Sequence, residues 1–158
     1  MRVVSFKSIA ILALSKIAHS EHTFAPLHNL DQGLCDDTTW QNETNSASAL
    51  VSDCTGIVSQ LTSQKEEGFY LQGWNDDSTD EYLGLATSGT CIFGAKVINN
   101  NKAPPVIANF DIIDILNDAV LNSFVVEGRV GASGSMHCRA SCGANTEPQE
   151  IGWKIYTH

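Results

Sequence analysis

Basic side chains are scarce in this chain: nine lysines and arginines stand against eighteen aspartates and glutamates, a formal net charge of −9. No lysine or arginine cluster is left to neutralise a phosphate backbone or to hold an anionic lipid surface, which argues against nucleic acid and acidic membranes as partners. Long apolar runs are missing as well. The clearest one, residues 9–14, is far short of the ~20 residues that a helix needs to cross a bilayer, so no membrane span is expected. The five cysteines contain no CxxC pair, and no histidine stands at ligand spacing beside them, which removes the common zinc sites. No nucleophile elbow, acid pair or metal set emerges, so no enzyme activity and no cofactor or metal is expected. Internal repeats and heptads are also absent.

What is present begins with an address. Met1 and Arg2 precede the apolar run, and Ala18-His19-Ser20 is a small-x-small ending that allows cleavage before Glu21, so residues 1–20 resemble a secretory signal peptide. Its removal would take away Arg2, Lys7 and Lys16 and no acidic residue, moving the net charge from −9 to −12. The expected organisation is then a polar tail over 21–34, one domain over 35–142, and a second polar tail over 143–158. A secreted location suits Cys35, Cys54, Cys91, Cys138 and Cys142 as disulfide formers. The triplet Asn42-Glu43-Thr44, without proline in the middle, is an acceptor for a glycan at Asn42.

Periodicity locates the elements. Over 52–61, Cys54, Ile57, Val58 and Leu61 recur at helical spacing, with Ser52 available as a cap. Over 90–97, alternation puts Cys91, Phe93, Ala95 and Val97 on one face of a strand. A second strand over 129–138 has Val130, Ala132, Gly134, Met136 and Cys138 on its inner face and Ser133, Ser135 and His137 on its wet one. Ala132 and Gly134 leave room for a bulky neighbour, and the helix over 111–124, striped by Ile112, Ile115, Leu116 and Ala119 and capped by Asn109 or Asp111, is the expected one. Residues 69–74 and 82–86 read as a hairpin with a long polar tip. Pro104 and Pro105 shape a turn before a short strand over 106–109. The fold class is α+β: a small single-domain sandwich of an antiparallel sheet and about two packed helices, stapled by disulfides.

Several runs carry a resemblance. Val51-Ser52-Asp53-Cys54, Gly89-Thr90-Cys91-Ile92-Phe93-Gly94, Asn109-Phe110-Asp111-Ile112-Ile113-Asp114-Ile115-Leu116, Gly128-Arg129-Val130-Gly131-Ala132 and Gly134-Ser135-Met136-His137-Cys138 stand in this order. Together they resemble the fungal secreted effectors of the necrosis-inducing-factor family over about two thirds of the chain. The resemblance implies a small extracellular protein that promotes infection of plants or provokes cell death, with no assigned active site. It also implies four shared cysteines, at Cys35, Cys54, Cys91 and Cys138. Two features depart from the pattern: Cys142 is additional, and Asp36 stands where a glycine commonly follows the first cysteine.

An inward Cys54 on a helix and an inward Cys91 on a strand can be joined, which leaves Cys35 for Cys138; Cys35 with Cys142 is the rival pairing. An unpaired Cys142 would make a covalent oligomer feasible. Other residues invite sharper readings. Ser133, Ser135 and His137 could place a hydroxyl beside a base, but an ordinary polar sheet surface is the plainer account. Asp76, Asp77, Asp80 and Glu81 offer hard oxygens without calcium-loop spacing. His22, His28 and Asp31 read as a polar tail. Among Trp40, Phe69, Tyr70, Trp74 and Tyr82, most belong to a core, and Trp74 beside the polar loop is the one expected to contact a partner. The functional expectation is an effector that engages a host extracellular protein or cell-surface component. An antimicrobial or killer-toxin-like protein acting on competing cells is the alternative.

Overall fold

The computed structural model describes residues 23–74, 81–98, 103–121, 124–140 and 147–158. The elements run β1 (Thr23–Leu27), β2 (Gln41–Asn42), β3 (Ala49–Leu50), α1 (Val51–Thr62), β4 (Gly68–Gln72), β5 (Leu83–Ser88), β6 (Cys91–Val97), β7 (Val106–Ala108), α2 (Asn109–Leu121), β8 (Arg129–Val130), β9 (Ala132–Cys138) and β10 (Gln149–Tyr156). All ladders between them are antiparallel: a five-stranded sheet in the order β2-β9-β10-β6-β5, a three-stranded sheet β1-β4-β7 and the pair β3-β8. The described residues form a small α+β domain and hold two helices and two disulfides.

Helix α1 forms where the apolar stripe is. Cys54, Ile57 and Leu61 are buried, while Thr55, Ser59 and Thr62 turn outward and donate their hydroxyls to the carbonyls of Val51, Thr55 and Val58 at 3.0, 3.0 and 2.7 Å. Ser52 does not cap it, since the N-cap position is Leu50 with no side-chain bond. The helix start is instead fastened to the β5–β6 turn: the Asp53 carboxylate accepts from the backbone N–H and the hydroxyl of Thr90, both at 2.7 Å, and Leu50 N–H donates to that same hydroxyl at 2.9 Å. These bonds from Thr90 hold the Asp53 carboxyl below its ordinary value. Helix α2 buries Ile112, Ile115, Leu116 and Ala119.

The core is aromatic at its centre. Trp153 on β10 is fully buried, lies nearly parallel to Phe93 of β6 at 6.4 Å, and meets Trp40 edge-on at 4.9 Å. Gly134 faces this cluster. A Cβ there would collide with the Thr39 carbonyl and stand 2.7 Å from the Trp153 ring, so glycine is required by close approach. The neighbour accommodated at Gly134 is therefore an indole from the same sheet, and not α2 as expected.

Three further expectations are corrected. The 143–158 stretch does not end in a tail: β10 lies between β9 and β6, with the alternate side chains Ile151, Trp153 and Ile155 buried. The 21–34 stretch likewise holds β1, an edge strand whose Phe24 packs edge-on against Phe69 at 5.1 Å. Residues 69–74 and 82–86 do not pair with each other. β5 closes on β6 through a tight turn, which costs less loop entropy than a long tip, while β4 goes to β1 and β7. Cys54 joins Cys91, the pair inferred from their inward-facing positions, and Cys35 joins Cys138, the pair that this one left over, and not Cys142. Cys142, residues 1–20, where a signal peptide is expected, His22 and most of the acidic loop (Asp76, Asp77, Asp80) lie outside the described residues.

Candidate functional site

Residues 35–43 run along the outer edge of β9. Asp36 N–H donates to the His137 carbonyl, Thr39 N–H to that of Ser135 and Glu43 N–H to that of Gly131, at 2.8, 2.8 and 2.9 Å. Across from the first part of this segment lies α2, and between them opens a groove of about 820 Å³. One wall carries Asp36, Asp37 and Thr38, the other Asp114, Ile115 and Asp118, with Asp111, Cys35, Trp40 and Met136 completing the lining. Asp36, Asp37, Asp114 and Asp118 are exposed. None of the lining residues is a lysine or arginine.

The groove keeps its shape because Asp111 clamps both walls. Its carboxylate accepts the Leu34 N–H at 3.0 and 3.1 Å on its two oxygens, the Cys35 N–H at 3.2 Å and, at its own helix start, the Ala108 N–H at 2.9 Å. The last bond satisfies an N–H that the helix geometry would leave open. Gly33 permits the approach, since a Cβ there would stand 2.5 Å from the Asp111 Oδ1. Burial pushes the Asp111 carboxyl above its ordinary value; the bonds from Leu34, Ala108 and Cys35 pull it back, and the Asp114 charge adds to the rise. Below the clamp, the Cys35–Cys138 bridge fastens the wall to β9. Further along, Trp153 Nε1–H donates to the Thr38 hydroxyl at 2.5 Å, and Trp40 leans on Phe124 at 5.9 Å.

The residues singled out from sequence fall elsewhere. Trp74 is only 4 % exposed and belongs to the core, which removes it as a partner contact: its apolar bulk outweighed the polar loop that follows it. Ser133 does not meet His137. Its hydroxyl donates to Glu43 Oε1 at 2.6 Å, while Lys154 Nζ pairs with Glu43 Oε2 at 2.7 Å. The bonds from Lys154 and then Ser133 hold the Glu43 carboxyl below its ordinary value. His137 is exposed on the same strand. His28, in the expected tail, pairs with Glu67 at 3.3 Å. Among the described residues no group of three or more His, Cys, Asp or Glu is placed to hold a metal ion. The sequence reasoning missed Asp36, Asp114, Asp118 and Trp40 as one constellation. Part of the signal was legible, since Asp111, Asp114 and Asp118 recur at helical spacing on α2, along one border of its apolar stripe beside Ile115.

Comparison with known families matches residues 34–138 to the family described as "Pathogen effector; putative necrosis-inducing factor". The chain belongs to this effector family. The matched span takes in both disulfides and both walls of the groove. Two Penicillium expansum proteins are also similar. One, named "Probable chitinase LysM18", is 28% identical over 145 residues, covering 91% of the effector chain and 9% of that protein. The other, named "Secreted chitinase LysM12", is 31% identical over 121 residues, covering 76% of the effector chain and 7% of that protein. The effector chain thus spans less than a tenth of the length of either curated relative. No helix among the described residues is long and apolar enough to cross a membrane.

Proposed function

We propose that this protein is a secreted effector that acts outside its own cell by binding a host extracellular protein or cell-surface component, without chemistry of its own. The groove beside α2 is the contact surface. One observation carries this reading: four exposed aspartates from two separate segments converge with Trp40 on a single open concavity that holds no lysine or arginine. Fixed carboxylates of one sign focus the field in such a cleft and favour a target presenting positive charge. The flat indole edge supplies apolar contact. Membership of an effector family and two disulfides support action in an oxidising, extracellular setting.

The test is infiltration of the purified protein into leaves of several plant species, scored for cell death, beside a reduced and alkylated control and the Asp114→Asn/Asp118→Asn double variant. Cell death that needs the intact disulfides and falls with the double variant supports the reading. Equal death with the double variant removes the groove from it. The similarity to two proteins named chitinases favours one second reading, in which the chain acts on the walls of competing cells. Growth inhibition of fungal or bacterial cultures, with no response in any leaf, would select it.

A further inference from the structure

The acceptor triplet Asn42-Glu43-Thr44 sits where β2 forms one edge of the five-stranded sheet, and its three side chains go three different ways. Asn42 is exposed, and its Oδ1 accepts the Thr44 backbone N–H at 2.9 Å in a local turn. Glu43 turns to Ser133 and Lys154. The Thr44 hydroxyl is fully committed to the fold: it donates to the Phe124 carbonyl at 2.6 Å and accepts the Gly131 N–H at 2.9 Å. That hydroxyl is the part of the triplet an oligosaccharide transferase must read, so the folded chain displays the asparagine but withholds the recognition group.

We propose that Asn42 carries an N-linked oligosaccharide and that it is attached before β2 closes on β9. The inference rests on the secreted reading above, because the donor is an oligosaccharide on a lipid pyrophosphate met only along the secretory route. In the transfer, Asn42 Nδ2 forms a bond to the anomeric carbon, the carbon–oxygen bond to the pyrophosphate breaks, the pyrophosphate leaves with the electron pair, and the amide proton passes to base. Once the chain folds, Thr44 is sequestered and the site closes to further transfer. The glycan then stands on an open sheet edge, two residues beyond Trp40, where a bulky hydrophilic group blocks pairing with another strand.

The full chain is expressed in a secreting fungal host, and its mass is measured in medium and in cells before and after amidase removal of N-glycans. The expected product is a heavier protein in the medium that collapses to the mass of the unmodified chain with aspartate at position 42. Thr44→Ser should keep the added mass and Asn42→Gln should lose it. Protein recovered from the medium at the unmodified mass overturns the glycan and leaves secretion standing. Unmodified protein retained in the cytosol overturns secretion and the glycan with it. For the order of events, unglycosylated chain with its disulfides formed, and the same chain reduced and unfolded, are offered to solubilised transferase with lipid-linked donor. Transfer to the unfolded chain alone is expected; equal transfer to both overturns the order.

Discussion

Cys54 and Cys91 are fully buried and join α1 to β6 inside the core, whereas Cys35 is only half-buried and joins a groove wall to Cys138 at the end of β9. The first bridge spans 37 positions and sits among side chains that would pack there anyway. The second spans 103 and holds a segment that has little apolar burial of its own. The same covalent link therefore reinforces structure in one place and presents a surface in the other. Asp111 belongs with the second bridge: it binds backbone groups of the wall and of its own helix start, and so ties the groove's two sides without filling the core.

Removing the bridges separately is the strongest test of that contrast. In the chain-entropy model the 103-position loop contributes about 4.7 kcal/mol and the 37-position loop about 3.8 kcal/mol, so Cys35→Ala/Cys138→Ala should lower the urea-unfolding free energy by roughly 1 kcal/mol more than Cys54→Ala/Cys91→Ala. Equal losses, or the reverse order, would mean that packing around Cys54 and Cys91 outweighs loop length. Asp111→Ala comes next. It strands the Leu34, Cys35 and Ala108 N–H groups and should cost about 2 kcal/mol. Amide exchange should rise at Asp36 and Thr39 well before it rises in β6 and β10, and uniform loss of protection would contradict a local clamp.

Acidification sharpens the comparison with opposite signs in the two places. Asp111 is raised above 3.8, so its folded carboxyl takes up a proton while the unfolded one is still charged; its contribution favours the fold below 3.8 and is lost as pH rises through the folded value. Glu43 is held below 4.5, so its contribution is present above 4.5 and is lost as pH falls through the folded value. Urea midpoints followed downward from neutral pH should show a shallower acid-side loss in Glu43→Gln and a steeper one in Asp111→Asn. The smallest effect is expected from Lys154→Met, whose partly exposed pair with Glu43 should be worth no more than about 1 kcal/mol and should fade with added salt.

The sequence spoke clearly where one face of an element is buried and the other wet. Cys54, Ile57 and Leu61 on α1, and Cys91, Phe93, Ala95 and Val97 on β6, are where their periods put them, and the inward direction of Cys54 and Cys91 made that disulfide legible. It misled where a strand is short or sits behind a polar lead-in. β10 has the alternation of Ile151, Trp153 and Ile155, but Gly143 to Glu150 disguised its start. Trp74 was misplaced because a neighbouring polar loop says nothing about where a large ring turns. The groove was the least legible part. Its walls come from positions more than 70 residues apart, brought together by hydrogen bonds between backbone groups and one carboxylate, which leave no local pattern.

β10 has a consequence for how the molecule is made. It is the shared partner of β6 and β9, which means that both strands emerge during synthesis with a pairing edge open and must wait for the last of the described strands. Contacts of such long sequence reach slow folding and leave hydrophobic edges available for wrong partners in the meantime. Cys35, Cys54, Cys91 and Cys138 all precede β10, so both bridges can be in place before it arrives. Oxidation ahead of β10 then does more than finish the fold: it ties β9 to the segment at Cys35 and β6 to α1 while the strand between β9 and β6 is still to come.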